Sequence, residues 1–141
     1  MTARAFVDTN ILVYAHDRGS GDKHEIARSL IEELWSSRSG VLSTQVLQEL
    51  YVNLRRKAKR TVPLDEARAI LEDYLSWKVV VNDQRSILDA LELEARYQLS
   101  FWDALIVQAA QAAGVDRLYS EDLSHGQRYG ALELVNPFAP G

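Results

Sequence analysis

The chain is predicted to fold as an α/β domain in which helices cover both faces of a short parallel sheet. Three observations carry this. Short apolar or β-branched runs alternate with segments of helical spacing along the whole length. The junctions from strand to helix hold Asp, Ser or Thr, the residues that cap a helix start. A length of 141 residues, 47% hydrophobic and 26% charged, suits one globular domain spanning residues 1–141.

Taken in order, Ala5-Phe6-Val7 reads as a buried strand. Ile11, Leu12 and Val13 open a helix behind Asp8-Thr9-Asn10, which leaves Asp8 at the strand's carboxyl end. Ile26, Leu30, Ile31 and Leu34 recur at helical spacing and predict a helix over residues 22–37. Ser39-Gly40 leads into a strand at Val41-Leu42-Ser43. Ser43 or Thr44 then caps a helix striped by Val46, Leu47, Leu50, Tyr51 and Leu54, which runs into a basic cluster where the helix dipole favours cations. Pro63 restarts the chain for a helix over residues 64–77, and Val79-Val80-Val81 is a β-branched run of the buried-strand kind. Two helices follow, over residues 87–97 and 101–113, the second stopped by Gly114. Residues 117–120 and 132–135 are expected as the last strands, and 137–141 as a frayed tail.

Composition narrows the chemistry. Without cysteine there is neither a disulfide framework nor a thiolate metal site, so any metal must be held by oxygen or imidazole nitrogen, which selects a hard cation. Asp8 and Asn10 interrupt the early apolar stretch where a signal peptide needs its apolar core, and no apolar run approaches the roughly 18 residues of a membrane span. A cytoplasmic protein without membrane contact is expected. A net charge of −4 argues against a protein that coats nucleic acid, since such binding needs Lys and Arg to neutralise phosphates. A confined contact remains open at Arg55-Arg56-Lys57-Ala58-Lys59-Arg60, which reads equally as a solvated helix end.

Ligands of an open parallel sheet sit outside the carboxyl ends of its strands. That rule selects Asp8 after the first strand, Glu49 in the helix after the second, Asp103 at the opening of a helix, and Asp122 after the Leu118 strand. Converging carboxylates repel, and a divalent cation with oxygen ligands resolves the conflict while suiting phosphodiester hydrolysis. Each acid also has a plain structural reading. Asp8 can cap the following helix, and Ser100-Phe101-Trp102-Asp103 has the spacing of a capping box. Glu49 falls roughly 130° from the centre of its helix's apolar stripe, where solvation is the ordinary outcome. Ser120-Glu121-Asp122 can form a turn. Trp35, Trp77, Trp102, Tyr51 and Tyr74 sit at helical spacing with aliphatic residues, which favours core or dimer contact over base stacking. His16, His24 and His125 lack metal-ligand spacing, and His125 reads as a turn residue.

The ordered set decides. Phe6-Val7-Asp8-Thr9-Asn10, then Gln48-Glu49-Leu50, then Trp102-Asp103-Ala104 opening an Ala-rich helix, and Tyr119-Ser120-Glu121-Asp122-Leu123 before His125-Gly126, closely resembles the PIN-domain nucleases, in particular the VapC-type toxins of bacterial toxin-antitoxin pairs. The resemblance runs from Phe6 to about Phe138. It implies a three-layer α/β/α sandwich around a short parallel sheet, Mg²⁺- or Mn²⁺-dependent endoribonuclease activity, a homodimer, and a small antitoxin partner that blocks the site. Carried over by position, Asp8 and Asp103 resemble the main metal ligands, and Glu49 and Asp122 the outer ones acting partly through water. Thr9 and Ser120 match small hydroxyl positions near the metal or phosphate, and Asn10 the residue that steadies the first acid. Water attacking an RNA phosphorus in line would leave 5′-phosphate and 3′-hydroxyl ends. The basic run then becomes a candidate for RNA phosphates or for the acidic part of an antitoxin.

Two rivals stand beside this reading. An Asp after the first strand also occurs in phosphatases that form an aspartyl-phosphate, but those need a second Asp where this chain has Asn10. A non-catalytic PIN-like binding module would keep the fold and use its acidic groove for a protein partner.

Overall fold

The computed structural model describes residues 3–140, so both ends of the 1–141 domain and the Gly141 end of the tail lie outside it. Six strands and six α-helices alternate through most of the chain. They are β1 (Ala5–Val7), α1 (Thr9–His16), α2 (Asp22–Ser37), β2 (Gly40–Ser43), α3 (Thr44–Val52), α4 (Leu64–Tyr74), β3 (Lys78–Val80), α5 (Gln84–Tyr97), α6 (Phe101–Ala112), β4 (Arg117–Tyr119), β5 (Arg128–Tyr129) and β6 (Leu132–Val135). The sheet runs β3-β2-β1-β4-β6-β5 and is parallel except for β5, which pairs antiparallel with β6. Helices α1 and α2 pack together, as do α5 and α6, making a three-layer α/β/α sandwich of the expected class.

β1 lies at the centre, between β2 and β4, and its three residues are wholly buried because both faces of a parallel sheet are covered. The chain builds outward from β1 to β2 and β3, then returns to lay β4 on the other side. The strand order therefore reverses at the β1/β4 junction, and the carboxyl ends of these two strands flank the place where open sheets of this kind bind ligands. Asp8 N–H donates to the Tyr119 carbonyl across that junction at 2.9 Å, which fixes the register of the two strand ends.

Several expected boundaries shift, each for a local reason. The helix expected over residues 64–77 stops at Tyr74. Trp77 then folds back over β2, where its ring lies so close to Gly40 that a Cβ there would stand 2.3 Å from Cζ3. The run Val79-Val80-Val81 is not a buried strand: β3 is the sheet edge, half-exposed at Val79 and Val80, and Val81 is 67% exposed beyond it. The two-residue β5 was not expected, being too short for an alternating pattern to register. The tail is not frayed where it is described. Phe138 packs edge-on against Tyr14 at 5.3 Å between ring centres, and its N–H donates to Asn136 Oδ1.

The helix expected to run into the basic cluster also changes character. α3 ends at Val52, and residues Asn53–Lys57 widen into a π-helical turn that carries Arg55, Arg56 and Lys57. Lys59 and Arg60 lie in the loop beyond, where their N–H groups donate to Asp17, a carboxylate only 2% exposed. Asp17 also accepts from Gly19 N–H and the Ser20 hydroxyl. Burial alone would push its carboxyl up, but these donors outweigh burial and hold it below the usual range.

Candidate metal centre

Asp8, Glu49, Asp103 and Asp122 line one cavity of about 300 Å³ at the carboxyl edge of the sheet. Asp8 leaves the end of β1 in extended conformation and caps α1, its Oδ1 accepting from Thr9 N–H at 2.7 Å. This residue thus caps a helix and also lines the cavity. Its Oδ2 accepts from the Ser120 hydroxyl at 2.8 Å, and Ser120 is fully buried at the end of β4. Burial pushes the Asp8 carboxyl up to about 7, against the opposing pull of the Ser120 and Thr9 donors and with help from the charges of Asp122 and Glu49.

Asp103 stands in the first turn of α6, half-buried, and burial raises its carboxyl, with Asp122 adding to the rise and the Ser100 hydroxyl opposing it. Only one half of the expected capping box forms, in which Asp103 N–H donates to Ser100 Oγ at 3.1 Å. Glu49 is not a solvated residue. It is half-buried on the cavity wall and accepts from the Thr9 hydroxyl at 2.8 Å. Asp122 is exposed at the cavity's outer side, in the turn after β4.

Asn10 does not steady the first acid, as its position had implied. Its Nδ2 donates to Asp122 Oδ2 at 3.0 Å, and its Oδ1 accepts from Glu121 N–H at 3.2 Å, so it secures the loop of the fourth acid. Ser120 is the residue that holds Asp8. The loop has a second anchor in Glu121, which accepts from the Tyr14 hydroxyl at 2.6 Å and pairs with Lys23, with Lys23 lying over the Tyr14 and Phe138 rings. His125 is a turn residue, its Nδ1 accepting from Asn136 N–H, and it takes no part in the cavity wall.

Of the wall residues that sequence reasoning missed, three bear most on the acids. Gln45 on α3 and Asn53 at the start of the π-helical turn sit four residues either side of Glu49, a spacing that places them on its face and was legible as such. Gln45 is 7% exposed and donates to Glu49 Oε2 at 3.5 Å and to the Trp102 carbonyl at 3.3 Å, while its Oε1 has no hydrogen-bond partner among the described residues. Trp102 is the third. It is not a core residue but 62% exposed at the cavity rim, whereas Trp35 and Trp77 pack with Tyr74 in an aromatic cluster as expected.

Among the described residues, the cavity wall holds four carboxylates and no Lys, Arg or His. An all-oxygen donor set of this charge fits a hard divalent ion. Among the described residues, no three acidic or imidazole side chains are gathered closely enough to chelate as they stand. The acids share a cavity and are spaced by their hydroxyl and amide partners.

The fold and the acid set define the class. The model of the PIN domain family matches residues 5–129, and the chain belongs to that family. Among solved structures it is similar to a chain of a toxin-antitoxin complex from Klebsiella pneumoniae, at a TM-score of 0.70 and 19% identity over 95% of this chain and 98% of that one. It is also similar to the Mycobacterium tuberculosis toxin VapC20, which cleaves the sarcin-ricin loop, at a TM-score of 0.63 and 22% identity over 84% and 89%. A third similar structure is VapBC2 of Rickettsia felis bound to a DNA fragment from its promoter, at 0.63 and 20% over 92% and 96%. No curated protein matches the chain.

Proposed function

We propose that this chain is a single-domain, divalent-metal-dependent endoribonuclease of the VapC type, the toxin of a toxin-antitoxin pair. The observation that carries the reading is the cavity of four carboxylates without a cation, set at the β1/β4 junction of a PIN-family fold. Similarity to toxin-antitoxin chains, one of them an RNA-cleaving toxin, supports it.

Asp8 and Asp103 would hold Mg²⁺ or Mn²⁺ directly, with Glu49 and Asp122 as outer ligands. Such an ion would supply charge neutralisation at the phosphate and activation of an attacking water. The chain's own groups prepare the place. The Ser120 hydroxyl and Thr9 N–H fix both oxygens of Asp8, the Thr9 hydroxyl sets Glu49, and Asn10 sets Asp122. No side-chain nucleophile is required. The protein works in the cytoplasm as a homodimer with a small antitoxin over the acidic cavity.

The test is cleavage of a mixed RNA pool by metal-stripped protein with Mg²⁺ or Mn²⁺ added back. Cutting that appears with metal and is lost in Asp8→Asn and Asp103→Asn is expected. Full cutting by a folded Asp103→Asn would refute the assignment. The rival is a non-catalytic PIN-like module that uses the acidic cavity for a protein partner. Calorimetric titration with Mn²⁺ separates the two, because an inert module shows no heat of binding. The phosphatase reading is weakened by Asn10, whose two polar ends are both engaged in holding the fourth-acid loop.

A further inference from the structure

Trp102 exposes 62% of its surface at the rim of the acidic cavity, next in sequence to Asp103, while the other two tryptophans are built into the aromatic cluster around Tyr74. An open indole there does little for the fold. Its position is nonetheless fixed from two sides. Its ring meets Phe101 edge-on, with ring centres 5.3 Å apart, and Phe101 packs on the core. Its carbonyl accepts from Gln45 Nε2, which ties the first turn of α6 to α3. The result is a rigid aromatic face, free on one side, beside carboxylates and at the mouth of a cavity.

We infer that Trp102 is a stacking platform for an unpaired nucleobase of the RNA substrate, adjacent to the phosphate that the acids address. The inference rests on the nuclease reading for its substrate. The chemistry favours a base over an apolar protein side chain because the wall beside the ring, though it includes Val13 and Ile106, carries four carboxylates and the Gln45 and Asn53 amides. A nucleotide presents both halves needed, a π-face for the indole and a phosphate for an ion held by the acids. Successive helical residues point about 100° apart. Trp102 and Asp103 therefore reach the two halves of one ligand from a single turn.

Stacking on an aromatic side chain predicts about 5- to 100-fold weaker binding when the ring is removed. The experiment follows tryptophan emission while the chain is titrated, in Ca²⁺, with a single-stranded RNA decamer and with the same decamer carrying abasic sites. The intact decamer is expected to quench emission. The abasic one should bind more weakly to the wild type by the same factor that Trp102→Ala loses for intact RNA, and the variant should not distinguish the two. Trp102→Phe should keep most of the affinity and lose most of the quench, which also covers the case of an unstable Ala variant. Equal affinity of the wild type for intact and abasic RNA would overturn the inference, as would losses that simply add. So would a Trp102→Ala chain that changes its sedimentation as an assembly while binding RNA as before, since the ring would then serve a protein contact. Metal-dependent cutting is scored separately: absent cutting with base-dependent quenching sinks the nuclease reading alone, and cutting without base dependence sinks the platform alone.

Discussion

Replacing Asp8 by Asn should stabilise the metal-free chain, and the gain should depend on pH. The Asp8 carboxyl stands near 7 in the fold against an ordinary value of 3.8. The folded state therefore holds its proton more tightly than the unfolded state. Stability falls as pH rises between these two values and levels off above the higher one. At about 1.4 kcal/mol per pH unit, the ionised carboxylate costs about 4 kcal/mol at pH 8 and close to nothing at pH 4. An amide in its place accepts from Thr9 N–H but meets the Ser120 hydroxyl less well, which returns about 1 kcal/mol. The net gain of about 3 kcal/mol at pH 8 corresponds to a Tm higher by about 10 °C for a chain of this length. The assay is thermal unfolding in EDTA at pH 4 and pH 8, followed by circular dichroism. Adding Mn²⁺ at pH 8 should then raise the Tm of the wild type and leave Asp8→Asn nearly unmoved, because a ligand stabilises only the state that binds it. A variant less stable than the wild type by the same amount at both pH values would refute the argument from burial and repulsion.

Other consequences are as direct. Gly40→Ala sets a methyl against the Trp77 ring and should cost about 1–3 kcal/mol in urea unfolding, without loss of metal binding by the folded fraction. Asp17→Ala removes an acceptor of four hydrogen bonds and should cost about 2–3 kcal/mol at pH 7. Because the Asp17 carboxyl is held low, that deficit should shrink as pH falls through its folded pKa, below the usual carboxylate range, which acid titration of both chains would check. Changing Lys57, Lys59 and Arg60 together to Ala should flatten the salt dependence of single-stranded RNA binding by about 2 in log Kd per log salt if all three meet phosphates. An unchanged slope would assign them to a solvated surface.

What the sequence disclosed and what it hid follow from range. β1, α2 and β6 were legible because apolar spacing is a local signal that tertiary packing here reinforces. β5 was not, since two residues carry no period, and the end of α4 was hidden because Trp77 continues a helical spacing while serving β2 instead. The four acids were found as an ordered set, although each alone has an innocent explanation. Their supports were harder. Asn10 sits two residues from Asp8 yet serves Asp122, a bond spanning 112 positions that only the β1/β4 pairing creates. Trp102 was read as a core or dimer contact on spacing alone, and its exposure depends on where α6 begins relative to the cavity, which no local pattern encodes.

The sheet ends in strands of three residues at β3 and two at β5. A free backbone edge invites another chain to add a strand, and proteins commonly suppress this by keeping the edge short and charged. Here Lys78 lies on one outer strand and Arg128 on the other, and neither edge offers more than a few unpaired amides. Edges this short and charged disfavour strand addition. The outward side of α5 instead presents Ile87, Leu88 and Leu91, all more than 45% exposed, as side chains whose shapes can be altered one at a time without unsettling the sheet beneath.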